Sequence, residues 1–522
     1  MKSRVSKVMY VIMVAISLSQ SISTFGSPSV DMFSKLTLSI LGSGYRNRES
    51  GAFTNMGSNG NYWSAGVASE ANSYNLNFNS GNVNPLNNNN RANGFAVRPV
   101  QAFNILWVFY NSSTVLELTR PVIHALLCDA YDDAKANERS KLTQLKFEIH
   151  QELNLDELAN LLYKREYKVS PPIRFIIQYP TVREVFAPIF IDRVVSHLLF
   201  NMLNPLFDRL FIYDSYSCRV GKGTLFGIER FEHHIRSVTD NYRKEAFILS
   251  NDISGYFMNI NRSILFDIII DIFENYRYRP IEKGSNKVWN DIIDFDFVEY
   301  LLCELLFRDP LKGCVMLCTP EEEALLPASK SLLFSPKGTG LTIGDVLNQL
   351  FSNVYMNPYD QYVKRNLHCK NYGRYVDDSN LFSGSYEYLE ICRDASEDFL
   401  KEQLKLQLHP LKTKIVSTKD TTYFLGAAIK NYRRYMTHRS IAKFHSVIYQ
   451  WEQQIVSGKE IDQEKLLSQI NSYLGHASHF NEFQMLDRAL KDSPLNQILG
   501  FNKNYVKAFI KEEEINDTGY FW

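Results

Sequence analysis

Two adjacent carboxylates, Asp377 and Asp378, stand in the run GRYVDDSNLF at residues 373–382. The β-favouring residues around them predict a strand, a tight turn and a second strand. Because side chains alternate faces along a strand, neighbouring Asp residues can both reach one metal site only where the backbone bends. Clustered carboxylates repel each other, and a divalent cation relieves that repulsion. Taken alone, the pair is more simply interpreted as a solvated turn, so the other motifs must decide its meaning.

A third carboxylate, Asp252, directly follows the apolar run AFILSN at residues 246–251. The run predicts a buried strand, and an Asp at the end of a strand is well placed to bind a metal, although it is also a common helix cap. Farther along, Lys412 follows the run LQLHPL, and TYFLGAAI at 422–429 predicts a strand with a glycine kink.

Two glycine-rich loops precede predicted helices: DSYSCRVGKGT at 214–224 and PKGTGLTIGD at 336–345. Such loops can bind phosphate through backbone N–H groups and a lysine such as Lys222. The first loop lacks the spacing of a Walker motif, and by itself an ordinary turn explains it better.

Helices and short strands have to position these groups. Arg174 begins a predicted strand over 174–179, and Asn154 marks a predicted break in the first helical segment. Apolar residues at helical spacing predict helices over 121–163, 182–210, 260–276, 288–307, 386–404 and most of 432–522.

The composition is that of a large packed protein: 522 residues, 45% apolar and 13% aromatic. The net charge is zero, so the overall basic field that would favour nucleic acid is absent and any such binding needs a local groove or a basic partner. The seven cysteines are scattered and predict no disulfide framework, as in a reducing compartment. Cys314 and Cys318 are four residues apart, but incidental thiols are favoured over a zinc site.

The N-terminal region differs from the rest. Lys2, Arg4 and Lys7 precede an apolar run over residues 8–18, which is typical of a secretory signal and too short for a secure membrane span. Residues 44–100 are rich in Asn, Ser and Gly, as in a polar linker, but contain more aromatics than linkers do. GYR at 44–46 and GFAVR at 94–98 resemble the terminal part of C-type-lectin-like and formylglycine-enzyme-like folds.

The order of the motifs resembles the palm of a reverse transcriptase: a strand ending in Asp252, a glycine loop entering a helix, the Asp-Asp turn, a lysine and a Phe-Leu-Gly strand. The resemblance runs from about residue 121 to the C-terminus. It implies an α+β fold of the right-hand polymerase class, whose palm is an antiparallel sheet flanked by helices. Fingers and palm would occupy 121–431 after a linker over 103–120, with the fingers at about 121–245 and parts of 280–345, and a helical thumb would occupy 432–522.

This resemblance implies a chemistry. Nucleotide addition is an in-line phosphoryl transfer, and two divalent ions about 4 Å apart stabilise the charge that builds on the attacking and leaving oxygens. The implied ligands of two Mg²⁺ ions are Asp252, Asp377 and Asp378, with the Ile253 carbonyl as a further oxygen. Lys412 matches the palm lysine that faces the departing pyrophosphate, although a solvated surface charge is the simpler interpretation of one lysine.

Nucleotide contacts follow from the same resemblance. Phe257 lies where these enzymes keep the aromatic that excludes a ribose 2′-OH, although it can equally pack in the core. Gly344 and Gln349 belong to a loop expected to lie against the templating base pair. Basic positions near the triphosphate or template are matched by Arg174, Arg183, Arg219 and Lys222. The alternative for these four residues is that they only form ion pairs with carboxylates of the protein.

Within reverse transcriptases, the sequence is most similar to those of diversity-generating retroelements. The likeness rests on RVVSH at 193–197, the loop at 214–224, LPASKSL at 326–332 and Ile343-Gly344 followed by Asn348-Gln349. Asn348 departs from the Ser-Gln usual in that family. The likeness implies an RNA template, a DNA or RNA primer, dNTPs, a basic accessory protein, a cytoplasmic location without a membrane, and copying that is error-prone at template adenines for mutagenic retrohoming.

In such retroelements a template repeat near the polymerase gene copies the end of a lectin-like target, and Asn codons are adenine-rich. Residues 1–102 are therefore interpreted as a translated template repeat rather than an independent domain, with the polymerase beginning near residue 103 or later and the signal-like segment incidental. Two alternatives stay open: a reverse transcriptase of retron, antiviral-defence or group II intron type, and a secreted lectin-like binding protein that acts through its first hundred residues.

Overall fold

The computed structural model describes residues 115–136, 142–179 and 181–511, and the backbone of 43–46, 53–56, 59–67, 72–79, 82–90 and 94–95. The signal-like run over 8–18 and most of the 103–120 linker lie outside the described residues. The chain divides into two compact units, the first formed by Met1–Phe207 with Phe266–Asn348 and the second by Asp208–Leu265 with Gln349–Trp522.

The strands, in chain order, are β1 (Ser43–Arg46), β2 (Phe53–Met56), β3 (Asn59–Val67), β4 (Asn72–Asn79), β5 (Asn82–Asn90), β6 (Gly94–Phe95), β7 (Ile173–Ile177), β8 (Arg183–Ala187), β9 (Phe247–Asn251), β10 (Val315–Met316), β11 (Asn371–Tyr375), β12 (Asp378–Ser383), β13 (Lys414–Ser417), β14 (Thr422–Phe424), β15 (Ala427–Lys430), β16 (Arg433–Met436), β17 (Leu499–Phe501) and β18 (Ala508–Ile510).

The α-helices are α1 (Arg120–Lys135), α2 (Leu142–Ile149), α3 (Gln151–Tyr163), α4 (Phe190–Leu210), α5 (Thr224–Val238), α6 (Tyr256–Asn259), α7 (Arg262–Tyr276), α8 (Phe295–Leu306), α9 (Pro320–Ala324), α10 (Val346–Arg365), α11 (Tyr386–Gln403), α12 (His438–Val456), α13 (Gln463–Ala477) and α14 (Phe483–Leu490). No helix in this described part of the chain is both long enough and apolar enough to cross a membrane.

The N-terminal strands form two antiparallel sheets, ordered β2-β1-β6 and β3-β4-β5. In the first sheet Tyr45 pairs with Phe95 and Arg46 with Gly94. The two Gly-aromatic segments singled out in the sequence are thus backbone neighbours, although about fifty residues of sequence separate them.

The helices of the first unit pack through aromatic rings. Tyr131 of α1 and Phe147 of α2 both contact Phe190 at the start of α4, with ring centroids 5.9 and 5.2 Å from it. The break predicted near Asn154 falls instead before α3 begins at Gln151. The prediction was wrong because Asn154 donates its amide to the Phe147 carbonyl at 2.9 Å and so satisfies the end of α2 from within α3.

Residues 183–187 correct a second prediction, since they form β8 and not the start of a helix. β8 pairs with β7 in an antiparallel hairpin, with Arg174 opposite Phe186 and Ile176 opposite Glu184. Apolar residues in 182–190 fit either period over so short a run, and the hairpin partner decides the outcome.

The second unit contains a four-stranded antiparallel sheet, ordered β11-β12-β9-β13. Helices α5 and α11 pack against it. On the α5 side, Phe231 contacts Phe382 of β12 and Phe424 of β14, with centroids 4.9 and 4.8 Å apart. An antiparallel sheet covered by helices is the palm-type arrangement that the sequence predicted.

The segment 422–429, predicted as one strand with a glycine kink, is a hairpin of β14 and β15. Leu425 and Gly426 both adopt positive φ (47° and 82°), as two-residue hairpin turns require.

The C-terminal part of the second unit is less helical than predicted. Helices α12, α13 and α14 enclose their own core around Phe444, Ile470 and Leu486. The chain then ends its described part in the β17–β18 hairpin, so the prediction of helix through most of 432–522 fails there.

Candidate active site

Strand pairing brings the three predicted carboxylates to one edge of the sheet in the second unit. Asn251, the last residue of β9, pairs with Ser379 of β12, so Asp252 and Asp378 follow and precede that pair on neighbouring strands. Tyr375 pairs with Asp378 and closes the hairpin, which leaves Asp377 in the turn. The strand, turn and strand predicted around Asp377 are confirmed.

The carboxylates interact electrostatically. The pKa of Asp378 is raised to about 7, first because neighbouring groups displace water and then because Asp377 and Asp252 repel its charge; Lys412 opposes the shift. Lys412 Nζ lies 2.7 Å from Asp252 Oδ2 and 3.2 Å from Oδ1. That hydrogen bond is the main reason that the pKa of Lys412 is raised.

The donor set suits a hard divalent ion, because carboxylate oxygens are the ligands that Mg²⁺ favours and the mutual repulsion of the three groups is what a cation would relieve. Within the residues that the structure describes, no group of three or more His, Cys, Asp or Glu side chains is already closed around a metal position. Asp252 instead forms an ion pair with Lys412. The residues therefore fit the ion chemically. Ile253, whose side chain is buried, pairs with Leu408 beside them.

The turn that carries Asp377 has an unusual backbone. Val376 has φ of +56°, which is rare for a β-branched residue. Its carbonyl accepts a hydrogen bond from Arg374 Nη1 at 2.7 Å, and its N–H donates to Ser217 Oγ at 3.3 Å. Sequence reasoning missed Arg374 and Ser217. A signal was available for Arg374, since a charge inside a buried strand needs a partner.

Two further predicted residues of the second unit have defined surroundings. Phe257 lies on the short helix α6, half-buried, with its ring 5.3 Å from that of Tyr256. Gln349 is exposed on α10. The structure thus leaves both side chains at least partly accessible.

The glycine loop 214–224 is held by its basic residues. Arg219 donates to Asp208 and to the carbonyls of Ile212 and Ser215, so its guanidinium shapes the loop. Lys222 donates to the Tyr213 carbonyl and lies 4.6 Å from the Tyr213 ring centroid. Burial lowers the pKa of Lys222 to about 8, and Arg219 adds to the effect.

The remaining predicted residues belong to the first unit. Arg174 is 1% exposed and forms ion pairs with Glu184 at 2.7 Å and with Glu323, so its guanidinium is already committed to protein partners. Arg183 is exposed and donates to Thr181 Oγ1 at 3.1 Å. Gly344 has φ of +119°, and a Cβ there would lie 3.1 Å from a Val185 methyl. Its glycine is required by backbone geometry.

Asn348, the departure from the retroelement pattern, closes the second glycine loop. Its amide donates to Thr342 Oγ1 at 2.7 Å and to the Thr342 carbonyl at 3.1 Å. A serine could not span both acceptors, so the departure has a local structural role.

Comparison with known proteins finds a family that matches part of this chain. Residues 315–429 match the model of the reverse transcriptase (RNA-dependent DNA polymerase) family. This range includes Asp377, Asp378 and Lys412, and Asp252 lies outside it. A search of curated proteins finds no match.

Solved structures with similar folds include a telomerase from Candida albicans in complex with a TWJ fragment of telomeric RNA, at 11% identity and a TM-score of 0.37, covering 63% of this chain and 58% of that one. An apo telomerase from Candida tropicalis has 11% identity and a TM-score of 0.37, covering 75% and 84%. The chain thus spans 58% of the length of the Candida albicans chain. Similarity at this level bears on neither activity nor substrate.

The family match and the palm-type sheet together confirm the predicted fold class, α+β of the right-hand polymerase type. Residues 315–429 are similar to the reverse transcriptase family, and this match supports the enzyme class predicted from the sequence, RNA-directed DNA polymerase.

Proposed function

We propose that the whole chain acts as an RNA-directed DNA polymerase that synthesises cDNA from an RNA template by two-metal nucleotidyl transfer with Mg²⁺. The observation that carries the proposal is the meeting of Asp252, Asp377 and Asp378 at one edge of the sheet, with two of them inside the matched domain. The template, a DNA or RNA primer and dNTPs are the proposed substrates and partners.

Mechanistically, Asp252, Asp377, Asp378 and the Ile253 carbonyl would hold the two ions. When bound, Mg²⁺ supplies positive charge to the oxygens that become more negative during phosphoryl transfer. Lys412 contacts Asp252, and the Lys412 ammonium would face the departing pyrophosphate. Phe257 would close the sugar pocket against a ribose 2′-OH.

The nucleotide-binding assignments are supported unequally. The exposed side chains of Arg183 and Gln349 are accessible to a ligand, and Gly344 keeps its loop close to the β7–β8 hairpin. Lys222 can reach a phosphate if it leaves the Tyr213 carbonyl. Arg174 would contribute to nucleotide binding by holding the hairpin that carries Arg183, because both ion pairs of Arg174 are internal to the first unit.

The domain layout is part of the proposal: a lectin-like stretch over 1–102, a linker over 103–120, fingers and palm over 121–431, and a thumb over 432–522. The separate core of α12–α14 supports a thumb. The Tyr45–Phe95 pairing supports treating 44–46 and 94–98 as parts of one lectin-like fragment.

For the subfamily, we propose the diversity-generating type, with error-prone copying at template adenines, a basic accessory protein and a cytoplasmic location. The segments at 193–197, 214–224 and 326–332 support this interpretation. The retron, antiviral-defence and group II intron types are the alternative, and the secreted lectin-like protein ranks below them.

Primer extension on an RNA template with Mg²⁺ tests the activity, with Asp377→Ala beside wild type. We expect wild type to synthesise cDNA and the variant to synthesise none. The circular dichroism spectrum of the variant should match that of wild type, which shows that the variant is folded. Equal incorporation by both proteins would contradict the assignment. Misincorporation opposite template adenines is expected for the diversity-generating type, and faithful copying there would favour the alternative types.

A further inference from the structure

The turn between β11 and β12 carries two of the three carboxylates in a conformation that its own sequence disfavours. In the left-handed region the Val376 Cβ crowds the backbone, which only glycine avoids. A single valine does not hold this conformation unless surrounding groups impose it.

Buried polar groups on both sides of Val376 supply that constraint. Arg374 donates from Nε and Nη2 to the two oxygens of Asp360 at 2.8 and 2.7 Å, and both side chains are 0% exposed. The remaining nitrogen, Nη1, donates to the Val376 carbonyl at 2.7 Å and reaches Asn353 Oδ1 at 3.3 Å.

The other side of the turn is held from the glycine loop. Ser217 accepts from the Val376 N–H at 3.3 Å and donates to Asn353 Oδ1 at 3.1 Å. Asn353 in turn donates to the Ser217 carbonyl at 2.9 Å. The two peptide groups of Val376 are therefore tied to one connected set of buried side chains, Ser217, Asn353, Asp360 and Arg374, which we call the turn anchor.

Stability alone does not account for the ion pair at its centre. A buried pair loses about as much solvation as it gains in attraction, and apolar residues of the same size often replace such a pair without loss of stability. The forked guanidinium does what apolar side chains cannot, because it fixes two of its nitrogens on Asp360 and aims the third at one backbone oxygen.

We propose that Arg374 is a positioning residue: oriented by Asp360 and joined by Asn353 and Ser217, it holds the Val376 turn so that Asp377 and Asp378 face Asp252. This inference rests on the proposed polymerase function and adds to it the part of the protein that sets the geometry of the carboxylates.

The test measures Mn²⁺ binding to the full chain by electron paramagnetic resonance, alongside kcat and KM in primer extension. The main variant is the double substitution Arg374→Met with Asp360→Leu, which removes the anchor without leaving a buried charge. We expect roughly tenfold or greater weakening of Mn²⁺ binding, the size typical of groups that orient metal ligands, and a lower kcat with little change in KM for dNTP.

The matched control is Tyr372→Phe. The Tyr372 hydroxyl donates to the same Asp360 carboxylate at 2.7 Å and does not touch the turn, so Mn²⁺ binding should stay at the wild-type level. If the double variant does not fold, Ser217→Ala takes its place, since it removes only a hydroxyl; weaker Mn²⁺ binding is expected, and wild-type binding would overturn the proposal.

A rescue experiment separates positioning from general support. In a Val376→Gly background the left-handed turn costs no side-chain crowding, so removing the anchor should reduce kcat by a clearly smaller factor than it does in the wild-type background. The same factor in both backgrounds would count against the anchor. If the Asp377→Asn variant binds Mn²⁺ as well as wild type does, the polymerase function itself is overturned. If Mn²⁺ binding is lost in Asp377→Asn but unchanged in the double variant, only the positioning role is overturned.

Discussion

Gly373, close in sequence to the carboxylate turn, is packed tightly against Tyr216. Gly373 precedes the turn by three residues, and a Cβ there would lie 1.9 Å from the Tyr216 hydroxyl and 2.6 Å from Cζ. Tyr216 is 1% exposed and packs in the core between α5 and the sheet, so it cannot move aside without a rearrangement.

Gly373→Ala is therefore expected to lower the free energy of unfolding by about 1–3 kcal/mol or more, as overpacking of a buried site does. Gly384→Ala is the control, because a Cβ at Gly384 meets nothing within 4 Å. Thermal or urea unfolding of both variants checks this, and equal stability of the two would show that the Tyr216 contact is easily relieved.

The sequence allowed the strand, turn and strand around Asp377 to be predicted, because they are encoded within ten residues. It did not allow the partners of Arg374 to be predicted. Asp360 lies fourteen residues away on a different element, α10, and only the packed structure determines which buried acid meets which buried base.

Among the elements, the β7–β8 hairpin shows the same limit. Its two prominent arginines looked equivalent in sequence, but Arg174 is buried between Glu184 and Glu323 while Arg183 is exposed. Glu184 also accepts hydrogen bonds from Ser331 Oγ and the Leu332 N–H, so this buried ion pair ties the hairpin to the segment before the second glycine loop.

The two arginines should respond differently to substitution. Arg174→Met leaves Glu184 buried without its counter-ion and is expected to cost about 3–5 kcal/mol of stability. Arg183→Ala should leave stability near wild type and raise KM for dNTP roughly tenfold, the value of one charge-assisted hydrogen bond. Unfolding midpoints and steady-state primer extension measure both effects. A raised KM for dNTP in an Arg174→Met protein of wild-type stability would instead indicate that Arg174 contacts the nucleotide.

Two of the differences between predicted and observed elements have one physical cause. The runs at 183–187 and 422–429 are short, and the periodicity of so few apolar residues does not distinguish a strand from a helix or one strand from two. The pairing of the first run with β7 makes it a strand. The positive φ of Leu425 and Gly426 divides the second run into two strands of a hairpin.

At the scale of the whole molecule, the described chain comprises two units, and the three carboxylates with Lys412 all belong to the second. Its sheet is built from segments at 247–251, 371–383 and 414–417, which lie far apart in sequence. The order of motifs made this assembly predictable as a resemblance; the register that aligns Asp252 with Asp378 required the structure.

The central claim is that Asp252, although outside the matched range 315–429, belongs to the same catalytic group as Asp377 and Asp378. Mg²⁺-dependent primer extension by Asp252→Asn tests it most directly, with Asp394→Asn, an exposed acid on α11 paired with Arg393, as the control. The account predicts that the first variant folds and makes no cDNA while the second copies at the wild-type rate. Normal synthesis by Asp252→Asn would contradict it.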